Sequence, residues 1–125
     1  MKHVLLIDDN EIDSYITQHI IVKNKMPQKI SVESSAIEAL EFLAILKKNG
    51  EEFPDYIFLD IQMPEMNGFE FLDEFTKFPK ALIVHCNVIM LTSSGHERDR
   101  KHSFQYPCVK KFITKPLSLD LLEDL

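Results

Sequence analysis

Short apolar runs alternate along this chain with longer segments whose apolar residues recur at helical spacing, and that alternation constrains the fold more than any other feature. The runs are His3 to Ile7, Lys29 to Glu33, Tyr56 to Leu59, Val84 to Leu91 and Val109 to Thr114, each read as a strand. Between the first two, Glu11 to about Val22 places Ile12, Tyr15, Ile16, His19 and Ile20 on one helical face. Ser35 with Glu38 forms a capping box that opens a helix from Ala36 to about Asn49, and Gly50 suits its end. After Met66 come Phe69, Leu72 and Phe75 at helical spacing, with Pro79 as the stop. Ser94 and Glu97 suggest another capping box, but Ser94 to Gln105 is almost wholly polar, with Phe104 its only large apolar residue, which predicts a weak or short helix. Ser118 caps a last amphipathic stretch through Leu119, Leu122 and Leu125. Strand and helix in strict alternation, joined by right-handed crossovers, give an α/β doubly wound parallel sheet. Its ligand site lies beyond the carboxyl ends of the strands.

At 125 residues, 45% apolar, the chain predicts a single domain, residues 1–125, with a normal core. A formal charge of -6 argues against a nucleic-acid partner, since clustered Lys and Arg supply most of that affinity. Cys86 and Cys108 lack metal or disulfide spacing and read as small buried residues in a reduced, cytoplasmic setting. The apolar run near the start is too short for a signal or spanning segment, so no membrane partner is expected. His3, His19, His85, His96 and His102 show no metal-ligand spacing.

The residues that follow the strands form a coherent chemical set. Asp8 and Asp9 follow the first, Asp60 the third, Thr92 the fourth, and Lys115 comes just after the fifth. With the first and third strands adjacent, three carboxylates share one pocket and repel one another unless a cation compensates. Mg2+ suits such a site, because it takes oxygen ligands and combines one or two carboxylates with phosphate oxygens. A carboxylate in that setting is also a candidate nucleophile toward phosphorus, with Lys115 offsetting charge and Thr92 offering a hydroxyl. Taken singly, Asp9 or Asn10 caps the first helix, Asp60 supports the turn before Pro64, and Lys115 is a solvated residue. Their coincidence at matching strand ends favours function.

The segments LLIDDN, IFLDIQMPEMNGFEFL, IMLTSS and FITKPLS resemble the receiver domain of two-component response regulators, in family order and across essentially the whole chain. The resemblance implies a CheY-like, flavodoxin-like fold with five parallel strands in the order 2-1-3-4-5. It implies that Asp60 is the phosphoacceptor, that Asp9 contacts Mg2+ directly and Asp8 through water, and that the backbone carbonyl of Gln62 adds an oxygen. Lys115 would pair with the phosphoryl group, Thr92 would move toward it, and Phe112 would rotate into the space that Thr92 leaves. A cis Lys115–Pro116 bond is a family habit. The implied donor is a sensor histidine kinase or histidine phosphotransfer protein. The implied output is an altered surface for a downstream protein target, with a phosphorylation-dependent homodimer as a further option.

Phe112 lacks a hydroxyl, so an output that needs a tyrosine there is closed, and an ordinary inward-facing strand residue is the alternative for it. Gln62 and Ser94 stand where the family tunes phosphoryl lifetime. HERDRKHSFQYP replaces the small-residue stretch usual before the last strand. The polar helix within it buries little and is expected to open at low cost. Two other functions compete with this one: an aspartyl phosphatase of haloacid dehalogenase type and a degenerate receiver that only docks. The first needs an acid two residues past its nucleophile, where Gln62 and Asn10 stand. The second is disfavoured because every chemical position is filled. The chain is therefore expected to be a signalling phosphoacceptor, not an enzyme acting on a separate substrate, and to stand alone without a DNA-binding segment.

Overall fold

The computed structural model describes residues 2–24 and 28–122, and Leu125 of the predicted final stretch lies outside them. Five strands, β1 (Lys2–Ile7), β2 (Gln28–Glu33), β3 (Tyr56–Asp60), β4 (Asn87–Thr92) and β5 (Val109–Thr114), form one parallel sheet in the order 2-1-3-4-5. The helices are α1 (Glu11–Lys23), α2 (Ala36–Lys48), α3 (Gly68–Phe75), the single turn α4 (Lys80–Ile83) and α5 (Glu97–Ser103). A 3-10 turn follows at Leu119–Leu122, within the last predicted amphipathic stretch. The expected α/β doubly wound, flavodoxin-like architecture is the observed one.

Alternate strand residues feed two cores. Leu5, Ile7, Ile57, Leu59, Val88 and Met90 pack on one face with Leu43, Phe71, Leu72 and Phe75. Val4, Leu6, Phe58, Ile89, Leu91 and Ile113 pack on the other with Ile21, Leu117 and Leu122. Burial on both faces is what continuous apolar strands require.

Local signals explain most of the ends. Asn10 caps α1 by accepting from the Asp13 N–H at 2.9 Å, and Ser35 caps α2 by accepting from the Glu38 N–H at 3.1 Å. The Glu38 carboxylate, however, accepts from Ser34 Oγ, so only half of the predicted box there forms. At the other end of α2, Gly50 takes φ +69°, while the Gly50 and Glu51 N–H groups reach back to Lys47 and Leu46. That pairing satisfies the last carbonyls of the helix.

Four expectations are corrected. First, α1 turns Ser14, Thr17 and Ile21 inward, leaving Ile12, Tyr15 and Ile16 exposed. Periodicity fixes a helix's pitch and not its phase, and small side chains suit the close approach to the sheet. Second, Val84 to Cys86 is not strand. Pro79 starts the α4 turn, Leu82 and Ile83 pack on the core from it, and Val84 is left 79% exposed. Third, α3 ends at Phe75 with Thr76 as its cap, so Pro79 opens the next turn and does not stop this one. Fourth, Ser94 does not cap α5. His96 occupies that place and makes no side-chain cap bond.

Candidate functional site

Register alone brings the acids together. Ile7 pairs with Leu59, so Asp8 and Asp60, the next residues on neighbouring strands, emerge side by side at the carboxyl edge. Asp8, Asp9 and Asp60 each offer a carboxylate oxygen, and these oxygens lie within 4.8 Å of one another. Asp8 and Asp60 are buried, and Asp9 is exposed. Such a trio of hard oxygen donors fits a small divalent cation.

The electrostatics fit one as well. Burial pushes the Asp60 carboxyl up to about 7; Lys115 and the Gln62 N–H pull it down, while Asp8 and Asp9 push it further up. A second positive charge in the pocket would oppose that shift. The Gln62 N–H stands 3.4 Å from Asp60 Oδ1. The Asn10 N–H donates to Asp8 Oδ1 at 2.9 Å, locking that carboxylate in place.

β5 delivers the remaining groups. Its last residue, Thr114, pairs with Thr92, and the Lys115 N–H donates to the Thr92 carbonyl at 2.8 Å. The Lys115–Pro116 bond is cis, as expected. The Lys115 ammonium lies 3.0 Å from Asp8 Oδ2 and 3.8 Å from Asp60 Oδ2. Although burial lowers the Lys115 pKa, the bonds to Asp13 and Asp8 outweigh that, and the net shift is upward. Thr92 is fully buried. Its hydroxyl donates to the Ser94 carbonyl at 2.9 Å and accepts from the Ser94 N–H at 3.1 Å. The buried Ser94 hydroxyl has no partner. Phe112 pairs with Met90 in the sheet and is partly buried against the α2 and α3 side of the core.

Four residues given no role in the sequence analysis also shape the site. Asp13 binds Lys115 Nζ at 3.0 Å, a contact between residues 102 apart in the chain that only the folded arrangement brings together. Asn67 and Glu70 form a full capping box at the start of α3, for which the N-x-x-E spacing was a visible signal. Gly68 donates its N–H to Ile61 at 2.8 Å, and a Cβ there would meet the Asp60 carbonyl oxygen at 2.8 Å. Glycine at that position lets α3 dock directly behind the Asp60 backbone.

The other singled-out residues stay outside the pocket. His3 bonds Ser31, His85 bonds the Phe53 carbonyl, His19 stacks on Tyr15 and His102 on Phe69. Burial pushes the Cys86 thiol up to about 12 and raises Cys108 too, which keeps both protonated. Among the described residues no helix is long and apolar enough to cross a membrane.

Comparison with known proteins gives a consistent picture. The model of the response regulator receiver domain matches residues 4–125. A sensor histidine kinase, CheAY, of Helicobacter pylori is 35% identical over 95% of the chain, which spans only 14% of that kinase's length. A two-component response regulator of Oryza sativa subsp. japonica, ORR8, is 30% identical over 94% of the chain and 88% of its own length. The crystal structure of a two-component response regulator from Cytophaga hutchinsonii superposes with a TM-score of 0.91 at 30% identity, covering 99% of this chain and 92% of that one.

Proposed function

This chain belongs to the response regulator receiver domain family, and we propose that its Asp60 carboxylate accepts a phosphoryl group from a phosphohistidine on a sensor histidine kinase or histidine phosphotransfer protein. The family works in two-component signalling and uses Mg2+ at an acidic pocket. The observation that carries the proposal is the convergence of Asp8, Asp9 and Asp60 with the Lys115 ammonium at one sheet edge.

In the transfer, an Asp60 oxygen forms the new P–O bond as the P–N bond to the donor imidazole breaks. The residues around it supply position and charge, which is most of what phosphoryl transfer asks of a protein. Asp8, Asp9, Asp60 and the Gln62 carbonyl would hold Mg2+, which supplies the charge that keeps Asp60 ionised and screens the incoming phosphoryl group. Lys115 donates to one phosphoryl oxygen and Thr92 to another. For Thr92 this means exchanging its bonds with Ser94, so occupancy of Asp60 reshapes the loop ahead of α5. Phe112 then turns toward the vacated space, and the altered face binds a downstream protein or a second copy of the chain. The whole chain acts as one receiver unit. It is a signalling phosphoacceptor in the cytoplasm.

Mass spectrometry after incubation with Mg2+ and a small acyl-phosphate donor tests this. A single phosphoryl adduct is expected, lost without Mg2+ and lost in Asp60→Asn. An adduct that survives Asp60→Asn, or none in the folded unmodified chain, overturns the proposal.

A further inference from the structure

The Lys115 ammonium faces three carboxylates and sits farthest from the one proposed as nucleophile. Its Nζ is 3.0 Å from Asp8 Oδ2 and 3.0 Å from Asp13 Oδ2, but 3.8 Å from Asp60 Oδ2. The two shorter contacts are hydrogen bonds; the longer is an ion pair without one. Asp8 belongs to the acid trio by its place after β1. Asp13 does not. It stands in the first turn of α1, outside that trio, with its side chain 38% exposed where that of Asp8 is fully covered. Its position is not casual, because the Asn10 side chain holds its backbone N–H at 2.9 Å. A groove of about 250 Å³ opens beside this pair, walled by Ile16, Thr17, Pro116 and Leu117.

An anion outside the cation site holds the ammonium and its hydrogen bonds away from Asp60, and its own negative charge offsets the ammonium's field there. Resting on Asp60 as phosphoacceptor, we propose that Asp13 is a positioning residue that holds the Lys115 ammonium toward α1 in the resting protein and must yield it when Asp60 carries a phosphoryl group. Asp13 thereby slows phosphoryl capture.

Asp13→Asn keeps the shape and removes the charge. Phosphorylation by a small acyl phosphate with Mg2+ should then run about two- to fivefold faster, the range for a partly exposed ion pair. In a Lys115→Ala background the same substitution should change nothing, because its effect passes through the lysine. An unchanged or slower rate in the single variant, or an equal gain without Lys115, overturns the inference. A second readout needs no phosphate. In metal-free protein the 15Nζ signal of Lys115 should shift and show greater ammonium mobility in Asp13→Asn. An unaltered signal overturns the inference. Failure of the unmodified chain to take up phosphoryl overturns the functional reading, whereas uptake indifferent to Asp13 overturns this inference alone.

Discussion

α3 and α5 each follow a strand that ends in the acid pocket, and they are attached by opposite means. α3 drives Phe71, Leu72 and Phe75 into the core and sets Gly68 against the backbone of Asp60. α5 buries only Ser103 among its described residues, and its neighbour Phe104 stays 44% exposed. What holds α5 is polar and sideways. His102 stacks on Phe69 of α3 with ring centroids 3.9 Å apart, and the Tyr106 hydroxyl donates to Asp73 on the same helix. The Arg100 guanidinium lies 5.3 Å from the Phe104 ring, and acids in the first turn with bases in the last complement the helix dipole. Apolar burial is large and undirected, while such contacts contribute about 1 kcal/mol each. One wall of the pocket is therefore framework. The other is fastened to it by a few replaceable bonds.

The largest effect should come from breaking the framework side. Phe71→Ala empties a fully buried site and is expected to cost about 3–5 kcal/mol in denaturant unfolding. A loss under ~1 kcal/mol would mean that α3 is no better anchored than α5.

A comparable effect lies in charge at the α3 end. Asp60 is pushed up to about 7 from an ordinary 3.8, so between those values the folded state binds more protons than the unfolded one. The stability this group contributes is complete below about pH 4 and lost as pH rises through 7, on the order of 4 kcal/mol without divalent cation. Asp60→Asn should flatten that part of the metal-free stability profile, measured by urea unfolding at each pH. An equal slope in the variant would place the strain elsewhere.

The smallest effect sharpens the α5 side. Burial and the Asp73 carboxylate push the Tyr106 hydroxyl up to about 12, so it remains a donor at every working pH. Tyr106→Phe should lower global stability by about 1 kcal/mol or less, yet speed amide exchange in Arg100 to Phe104 several-fold while the strands stay protected. Equal acceleration in the strands would show that α5 opens only with the whole domain.

The strand ends were readable because a parallel sheet has so few options. Once apolar runs mark the strands, the residues after them must share an edge, and Asp8, Asp60 and Lys115 are found there. Phase and pairing across distant elements were not readable. Nothing in the spacing of Ile12, Tyr15 and Ile16 says that this stripe faces outward, and nothing near Asp13 announces a lysine a hundred residues on. The polarity of Glu97 to Ser103 was visible, but the lateral stack on Phe69 that compensates for it depends on how two helices lie together. Likewise the apolar letters from Val84 onward suit a strand until Pro79 and the packing of Leu82 make a helical turn the better burial.

Gly68 has a consequence for what this chain can become. Its N–H is bonded to Ile61, and the room for its missing side chain is already filled by the Asp60 carbonyl. A library of variants sampled for phosphoryl uptake should therefore leave position 68 a one-letter column, even though no reacting atom belongs to it. Glu65, only three residues earlier, faces solvent and is limited only by its own positive φ, with no neighbour to refuse a side chain. The information a position carries here follows from the backbone it touches, and chemistry at Asp60 is inherited by a residue with no side chain at all.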